Sequence, residues 1–485
     1  MNPPAASRLL AQRRAGVLLH PTALRGVAGQ PGEERGGLGA AARGFIDWLA
    51  AAGFTLWQVL PLGEPGMSGS PYWARSDMAG SPALVDSAEL PDASTQAGDY
   101  QRFRAESRDW LEDFVTFDAL AEHFRAPWWD WPVPYRSRDP AALAEFAERQ
   151  AAALEHRRLV QWHFDWQWRA LRRHAAERGV LLFGDLPIYV APDSVSTWAH
   201  PEQFQLTPEG RPALLAGVPP DYFSADGQLW GNPLYNWEQA QRDGFKFWRT
   251  RLDHQLRRFD VVRIDHFRGL AAYWAVPAGA STAREGQWRP APGHALFKAL
   301  CAEHPDLPVV AEDLGLITED VHALRRAFGL PGMRVLQFGF DGERDNPHAP
   351  HNLALDVVVY TGTHDNDTTV GWYRRLDAES AQRVQAYLDT PPGRVPESLM
   401  RACLASVARL AMLPAQDLLH LDSSARFNTP GTAVGNWTWR LPAGGLTASL
   451  AAQFRELNRI FDRLPSPPQP PLPPPQGYPA QEVPA

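Results

Sequence analysis

Arg263 and Asp265 lie two residues apart in the otherwise apolar run DVVRIDHFRG, residues 260–269. On a β-strand, side chains two apart project from one face, so a guanidinium and a carboxylate stand side by side. A cation at that range favours the ionised carboxylate. Alone, the pair reads more readily as a structural salt bridge at a strand end. Three further apolar runs end in the same kind of acidic cluster: GVLLFGDLPIYV (179–190), PVVAEDLG (308–315) and DVVVYTGTHDND (356–367). Together they place Asp185, Asp265, Glu312 and Asp365 at or just past the C-terminal ends of four buried strands. Those ends are where a parallel barrel gathers its active site.

Two carboxylates on neighbouring strand ends suit glycosidic bond chemistry, in which one protonates the leaving oxygen and the other attacks or stabilises the anomeric carbon. Asp265 is expected to be the nucleophile, held ionised by Arg263. Glu312 has few cations near it in the chain, so desolvation can keep it protonated as the general acid. Asp313 falls on the opposite strand face and reads as structural. Asp365, beside His364, is a third carboxylate able to hold sugar hydroxyls and distort a ring. For His364 a buried imidazole bonded to backbone is the competing reading.

The elements that must carry these residues recur along the 485-residue chain. Short apolar runs at 16–20 and 55–62 flank a stretch with helical spacing, Gly39 to Gly53, which makes an opening βαβ unit. A helical insertion is predicted from about 64 to 178, and a Trp-, Pro- and Gly-rich loop insertion over about 193–245. Strands are expected to end at Asp185, Asp265 and Glu312, with three more at 333–340, 356–363 and 417–421. Helices are expected at 244–258, 292–304, 319–328 (with Thr318 as N-cap), 378–388 and 396–411. Eight strand–helix units in order predict a (β/α)₈ TIM barrel with large helical and loop insertions spanning 1–463. Residues 464–485 are expected to be a proline-rich, disordered tail, with ten prolines from 465 onward.

The formal charge of -8 argues against nucleic acid or an anionic membrane surface as partner. Cys301 and Cys403 have no CxxC or histidine-rich surroundings, so neither a zinc site nor a disulfide framework is implied. No apolar run is long enough to span a bilayer and no secretory signal opens the chain, so a cytoplasmic protein is expected. Tryptophan, at 19 residues against 11 tyrosines, supplies faces for sugars or for cores.

RIDHFRG, AEDLG, YTGTHDND and GDLPIYV together resemble the ordered motifs of the α-amylase superfamily. More closely, the chain is similar to the 4-α-glucanotransferases (amylomaltases or disproportionating enzymes) of glycoside hydrolase family 77. LLHPTAL, WQVLPLG, GSPY, GVPPDYFSADGQLWGNPLYNW, FNTPGT and GNWTWR support the likeness, which spans about residues 16–463. The resemblance implies Asp265 as nucleophile, Glu312 as general acid/base and Asp365 as transition-state stabiliser. It implies that Arg263, His364 and Asp185 hold the sugar in the cleavage subsite. Tyr72 and Trp230 would line the groove, with His266 and Asn232 among the substrate contacts. Asp221, Tyr222 and Phe223 would lie in a loop covering the site. It implies no metal or cofactor, and as partners malto-oligosaccharides, starch- or glycogen-type α-1,4-glucans and glucose as acceptor. The mechanism would be a retaining double displacement.

The sequence departs from the family pattern in SPYWARSDMAGSP, at Trp73, Asp77 and Met78, and in Met67-Ser68-Gly69, where the family often carries a tyrosine of a secondary glucan site. That site is not carried over. Two readings compete with transfer: an α-1,4-glucan hydrolase of the same superfamily, which shares the catalytic set, and a catalytically silent glucan-binding protein, which the presence of all three carboxylates disfavours. The 217–237 stretch favours transfer.

Overall fold

The computed structural model describes residues 9–25, 36–66, 69–220, 225–432 and 434–465. Its strands are β1 (Arg14–Leu18), β2 (Leu56–Gln58), β3 (Leu181–Leu186), β4 (Leu214–Val218), β5 (Gln228–Pro233), β6 (Val261–Ile264), β7 (Ala272–Pro277), β8 (Gln287–Pro290), β9 (Val309–Ala311), β10 (Gly332–Val335), β11 (Val357–Tyr360) and β12 (Leu410–Pro414). Eight of them pair in parallel in the order β10-β11-β12-β1-β2-β3-β6-β9. The barrel closes between β9 and β10, where the Ala311 N–H donates to Pro331 O at 2.8 Å. One residue past Glu312, the Asp313 carboxylate accepts from the Met333 N–H at 2.7 Å and pairs with Arg334 at 3.1 Å. Asp313 therefore extends the seam beyond β9, a structural part.

Strand alternation fills the lumen. Leu56, Phe183, Val261, Val310, Met333, Val358, Tyr360, Leu410 and Met412 form a single buried cluster, one inward residue after another along strands wrapped by helices. Continuing the period of two upward from Phe183 and Val261 gives Asp185 and Arg263, which are register partners on β3 and β6. The inward row turns polar at the C-terminal end of the barrel. No described helix is long and apolar enough to cross a membrane.

Several expectations need correction. The eighth strand is β12, not 417–421. Its five residues pair in full register with β1, and the chain leaves it at Pro414 into the short helix Ala415–Leu418. The runs on either side of Pro414 are both apolar, so pattern alone does not tell strand from helix there; pairing with β1 does. The helix expected over 396–411 ends at Ala405 accordingly. At 333–340 only Gly332–Val335 is extended; a 3₁₀ turn, Leu336–Phe338, follows. Between β10 and β11 only 3₁₀ turns are formed, so that unit has no α-helix and the eight units are not all complete. Thr318 is the N-cap residue of Glu319–Ala327 by position, yet its side chain makes no capping bond.

The region around 193–245 is more ordered than a loop. β4 and β5 join β7 and β8 in an antiparallel sheet of order β5-β4-β7-β8. Between β2 and β3 the described chain is largely helical, with an aromatic core of Phe103, Phe117, Trp128, Trp131 and Trp162, which Trp198 joins from beyond β3. Most of the predicted proline-rich tail lies outside the described residues.

Asp77, a departure from the family pattern, has a defined partner. Arg251, on the helix Lys246–Arg258, donates to its carboxylate, to Tyr235 Oη at 2.7 Å and to Pro187 O at 2.8 Å. The Arg251 side chain is 0% exposed, so the pair pins the loop after β3 beneath the insertion. Removing one partner of a buried pair strands the other charge. Asp77→Ala is expected to lower unfolding free energy by about 3 kcal/mol, read by urea denaturation. An unchanged midpoint would show that the Tyr235 and backbone contacts suffice for Arg251.

Candidate active site

Asp265 is the first residue past β6, and its backbone N–H donates to Leu186 O at 3.0 Å, which fixes its height above the lumen. Arg263, buried below it, reaches three groups. It donates to Asp185 from Nε at 2.8 Å and Nη2 at 2.9 Å, to Asp265 Oδ1 at 2.7 Å and to Tyr72 Oη at 3.2 Å. A bidentate fork on Asp185 sets the guanidinium plane, so its contact with Asp265 is directional. Among the described residues Asp265 Oδ1 alone is bonded; the side chain is 30% exposed, leaving Oδ2 open to the cleft.

The next residue, His266, is left-handed at φ 51°, uncommon for a residue with a Cβ. That twist turns its N–H to Glu312 Oε2 at 2.7 Å, while the Leu314 N–H reaches Glu312 Oε1 at 2.8 Å. The two acids are thus tied through one strained residue. Burial lowers the His266 imidazole to about 3, so it is a neutral ring, packed edge-on against Trp230 at 4.6 Å.

Electrostatics differ from the expectation for Asp265. Burial, more than any other cause, raises it, to about 8; Arg263 pulls it down, and Asp185, Glu312 and Asp365 push it up again. Arg263 is shared with Asp185 and so cannot offset burial and three carboxylates. Glu312 is raised too, first by burial, against the pull of Arg263 and its two backbone donors. The two acids titrate as a pair. Both Glu312 oxygens accept N–H groups, which favour its ionised form, so burial is less opposed at Asp265.

Tyr72 follows Pro71 in a 3₁₀ turn. Its hydroxyl donates to Asp185 at 2.5 Å and lies 3.0 Å from His364 Nε2. With that proton spent on Asp185, Tyr72 accepts from His364, which assigns the Nε2–H tautomer. The two rings stack at 5.5 Å. Burial lowers His364 more than Asp365, 3.4 Å from Nε2, raises it.

Asp365 sits in the turn after β11 and is 46% exposed. The turn is held from outside: Asp417, buried, accepts from Thr361 Oγ1 at 2.6 Å and from Thr369 N and Oγ1 at 2.7 Å, gripping both ends of the segment. Asn428 Nδ2 donates to Asp365 Oδ1 at 2.5 Å, and Trp437 lies 6.0 Å from Tyr72 and 5.9 Å from His364. Sequence reasoning misses Asn428 and Trp437 as site residues, although both lie in motif stretches, FNTPGT and GNWTWR. Asp417 carries no signal of its own, because its apolar run reads as strand.

The structure thus brings Asp185, Arg263, Asp265, Glu312, Tyr72, His364 and Asp365 to one end of the barrel, with His266 and Trp230 beside them. Asn232 is different: it is 6% exposed and its amide donates to Val190 O at 2.9 Å, which fastens β5 to the loop after β3. Asp221, Tyr222 and Phe223 lie outside the described residues.

The family described as 4-alpha-glucanotransferase, glycoside hydrolase family 77, matches residues 19–99 and 88–447. The 4-alpha-glucanotransferase of Thermus thermophilus is 44% identical, over 93% of this chain and 99% of its own. That of Synechocystis is 41% identical, over 94% of this chain and 99% of its own. The amylomaltase of Streptococcus agalactiae, solved in complex with acarbose, superposes with a TM-score of 0.88 at 32% identity, covering 94% of this chain and all (100%) of that one. The amylomaltase of Corynebacterium glutamicum shares the fold, with a TM-score of 0.74 at 18% identity, over 95% of this chain and 76% of that one. With family, relatives and fold in agreement over nearly its whole length, the chain belongs to glycoside hydrolase family 77, the 4-α-glucanotransferases.

Proposed function

We propose that this chain moves a segment of α-1,4-glucan from a donor to the 4-hydroxyl of a second glucan or of glucose, by a retaining double displacement on Asp265 and Glu312. The supporting observation is that these acids, on adjacent strands β6 and β9, are joined through the left-handed His266, with Asp265 Oδ2 left open.

In the first step Asp265 Oδ2 attacks the anomeric carbon. The glycosidic C–O bond breaks and its oxygen takes a proton from Glu312, giving a glycosyl ester on Asp265. In the second step Glu312 removes the proton from the acceptor 4-hydroxyl, that oxygen bonds to the anomeric carbon, and Asp265 leaves. Two inversions return the original configuration, for which carboxyl groups roughly 5–5.5 Å apart are expected. The first step needs the proton on Glu312 and an ionised Asp265, whereas burial raises both acids. A donor whose glycosidic oxygen displaces one backbone N–H from Glu312 removes a bond that favours its ionised form. Positive charge growing at the anomeric carbon favours ionised Asp265 at the same moment, so binding leaves the proton on Glu312.

Arg263, Asp185, Tyr72 and His364 form the floor that fixes the sugar, and Asp365 holds sugar hydroxyls in the transition state. Transfer outcompetes hydrolysis when the acceptor binds and water is excluded, which assigns weight to Trp230 and to the 221–223 loop. Acidic overall and carrying free Cys301 and Cys403, the chain fits a reducing, cytoplasmic compartment.

Purified protein given maltotriose alone is expected to yield glucose together with maltopentaose and longer chains, resolved by chromatography. Glucose and maltose without longer products would overturn transfer in favour of hydrolysis.

A further inference from the structure

Of the 19 tryptophans, all within the described residues, only Trp288 is exposed, with 40% of its surface in solvent. It lies on β8, whose four residues are all exposed. Leaving an indole in water forgoes the burial that stabilises the other tryptophans. The ring is nevertheless held firmly. The Arg268 guanidinium carbon stands 3.9 Å from its centroid, and Trp274 meets it edge-on at 5.1 Å.

Arg268 also binds the indole to the catalytic strand ends. It follows Asp265 by three residues, and its Nη1 donates to Leu316 O at 2.6 Å and to Thr318 Oγ1 at 3.2 Å, on the segment that follows Glu312. Leu316, next to this contact, is 57% exposed. Register extends the apolar surface the other way: Trp288 pairs with Trp274, Trp274 with Gly217, and Gly217 with Leu229. Directly paired residues share a face, so one row crosses the sheet over about 14 Å, three strand spacings. Leu229 is 37% exposed, and Gly217 admits the close approach of the β5 backbone, since a Cβ there would lie 2.4 Å from Gln228 O. Trp230, one residue along β5, turns to the other face, toward His266.

Building on the glucan-transfer reading, we propose that Trp288 is an outlying stacking platform for α-1,4-glucan chains, reached by long chains and not by short donors. An indole offers a sugar ring a flat C–H-binding face, and a ring already fixed loses little rotamer entropy on binding. The row is contiguous, through Arg268 and Leu316, with the rim of the cleft, and its length suits several successive glucose units.

Trp288→Ala is compared with the parent on maltotriose and on amylose. Expected is kcat/KM on maltotriose within about twofold, and on amylose a fall of roughly 3- to 10-fold, with Trp288→Phe intermediate. Native electrophoresis in amylose-containing gels, with acarbose saturating the cleft, is expected to retard the parent and not Trp288→Ala. Equal effects on both substrates, or no loss of retardation, would overturn the platform. So would a concentration-dependent dimer abolished by the substitution, which would make the row an interface between copies. The retardation stands apart from catalysis: failure of the parent to extend maltotriose overturns the glucan-transfer reading and leaves the gel result to judge Trp288.

Discussion

Asp265→Asn is expected to lower kcat/KM on maltotriose on the order of 10⁴-fold or more, the scale seen when a covalent nucleophile is removed, and at the same time to make the protein more stable at neutral pH. The shape is kept and one amide oxygen still accepts from Arg263. What is lost is the open oxygen that forms the ester. The stability effect follows from the direction of the shift. Burial and three carboxylates raise Asp265 to about 8 in the folded chain, against an ordinary value of 3.8. Below about pH 4 both folded and unfolded chains carry the proton, and the residue costs nothing. Between about 4 and 8 the unfolded chain has released it while the folded chain retains it, so stability falls as pH rises through that window. A neutral amide escapes that loss. The Tm of Asp265→Asn should therefore exceed the parent's at pH 8 and match it at pH 4. More than about one per cent residual transfer would remove Asp265 from the nucleophile's role. A lower Tm at pH 8 would instead show that Arg263 outweighs burial.

That tension is partly legible in the sequence. The period of two gives the pairing of Arg263 with Asp265, and the apolar runs ending in acids give four strand ends, because both are local consequences of burial on both faces of a parallel strand. What the sequence hides is non-local. Asp185 stands beside Arg263 only through the β3–β6 register, and it takes most of the cation that the strand pattern assigns to Asp265. The backbone N–H groups on Glu312 depend on one left-handed residue, His266, which no propensity reveals. The eighth strand is misplaced by pattern because ARLAMLPAQDLLHL holds two apolar runs. Pairing with β1 chooses the first, and the second then delivers Asp417 to the Thr361–Thr369 segment. The antiparallel sheet escapes detection for a similar reason: its strands are separated by the catalytic strand β6, so nothing in any one stretch announces it.

Glu312→Gln should separate the two halves of the reaction. With maltotriose as donor, a fall of roughly 10³- to 10⁴-fold is expected, the upper range of what a positioned proton donor supplies, because an amide can neither protonate the leaving oxygen nor activate an acceptor hydroxyl. Fluoride leaves without a proton, so α-maltotriosyl fluoride should still glycosylate Asp265. The ester then accumulates, since Glu312 is also missing from the second step. A protein mass increased by one maltotriosyl group, on the peptide that holds Asp265, is the expected readout. Azide, an anionic acceptor that requires no base, should restore turnover and give the α-glycosyl azide. The β-azide would mean a single displacement and would end the retaining reading. Loss of the fluoride reaction to the same extent as maltotriose would show that Glu312 serves to seat His266, not to carry the proton. The geometry makes that control necessary. Both Glu312 oxygens accept backbone N–H groups, and an amide can satisfy only one of them, so some change at His266 is built into the substitution. Glu312→Ala, which frees both N–H groups and still leaves no acid, should respond to azide as Glu312→Gln does. Agreement of the two variants assigns the effect to the missing proton; rescue of only one assigns it to the displaced loop.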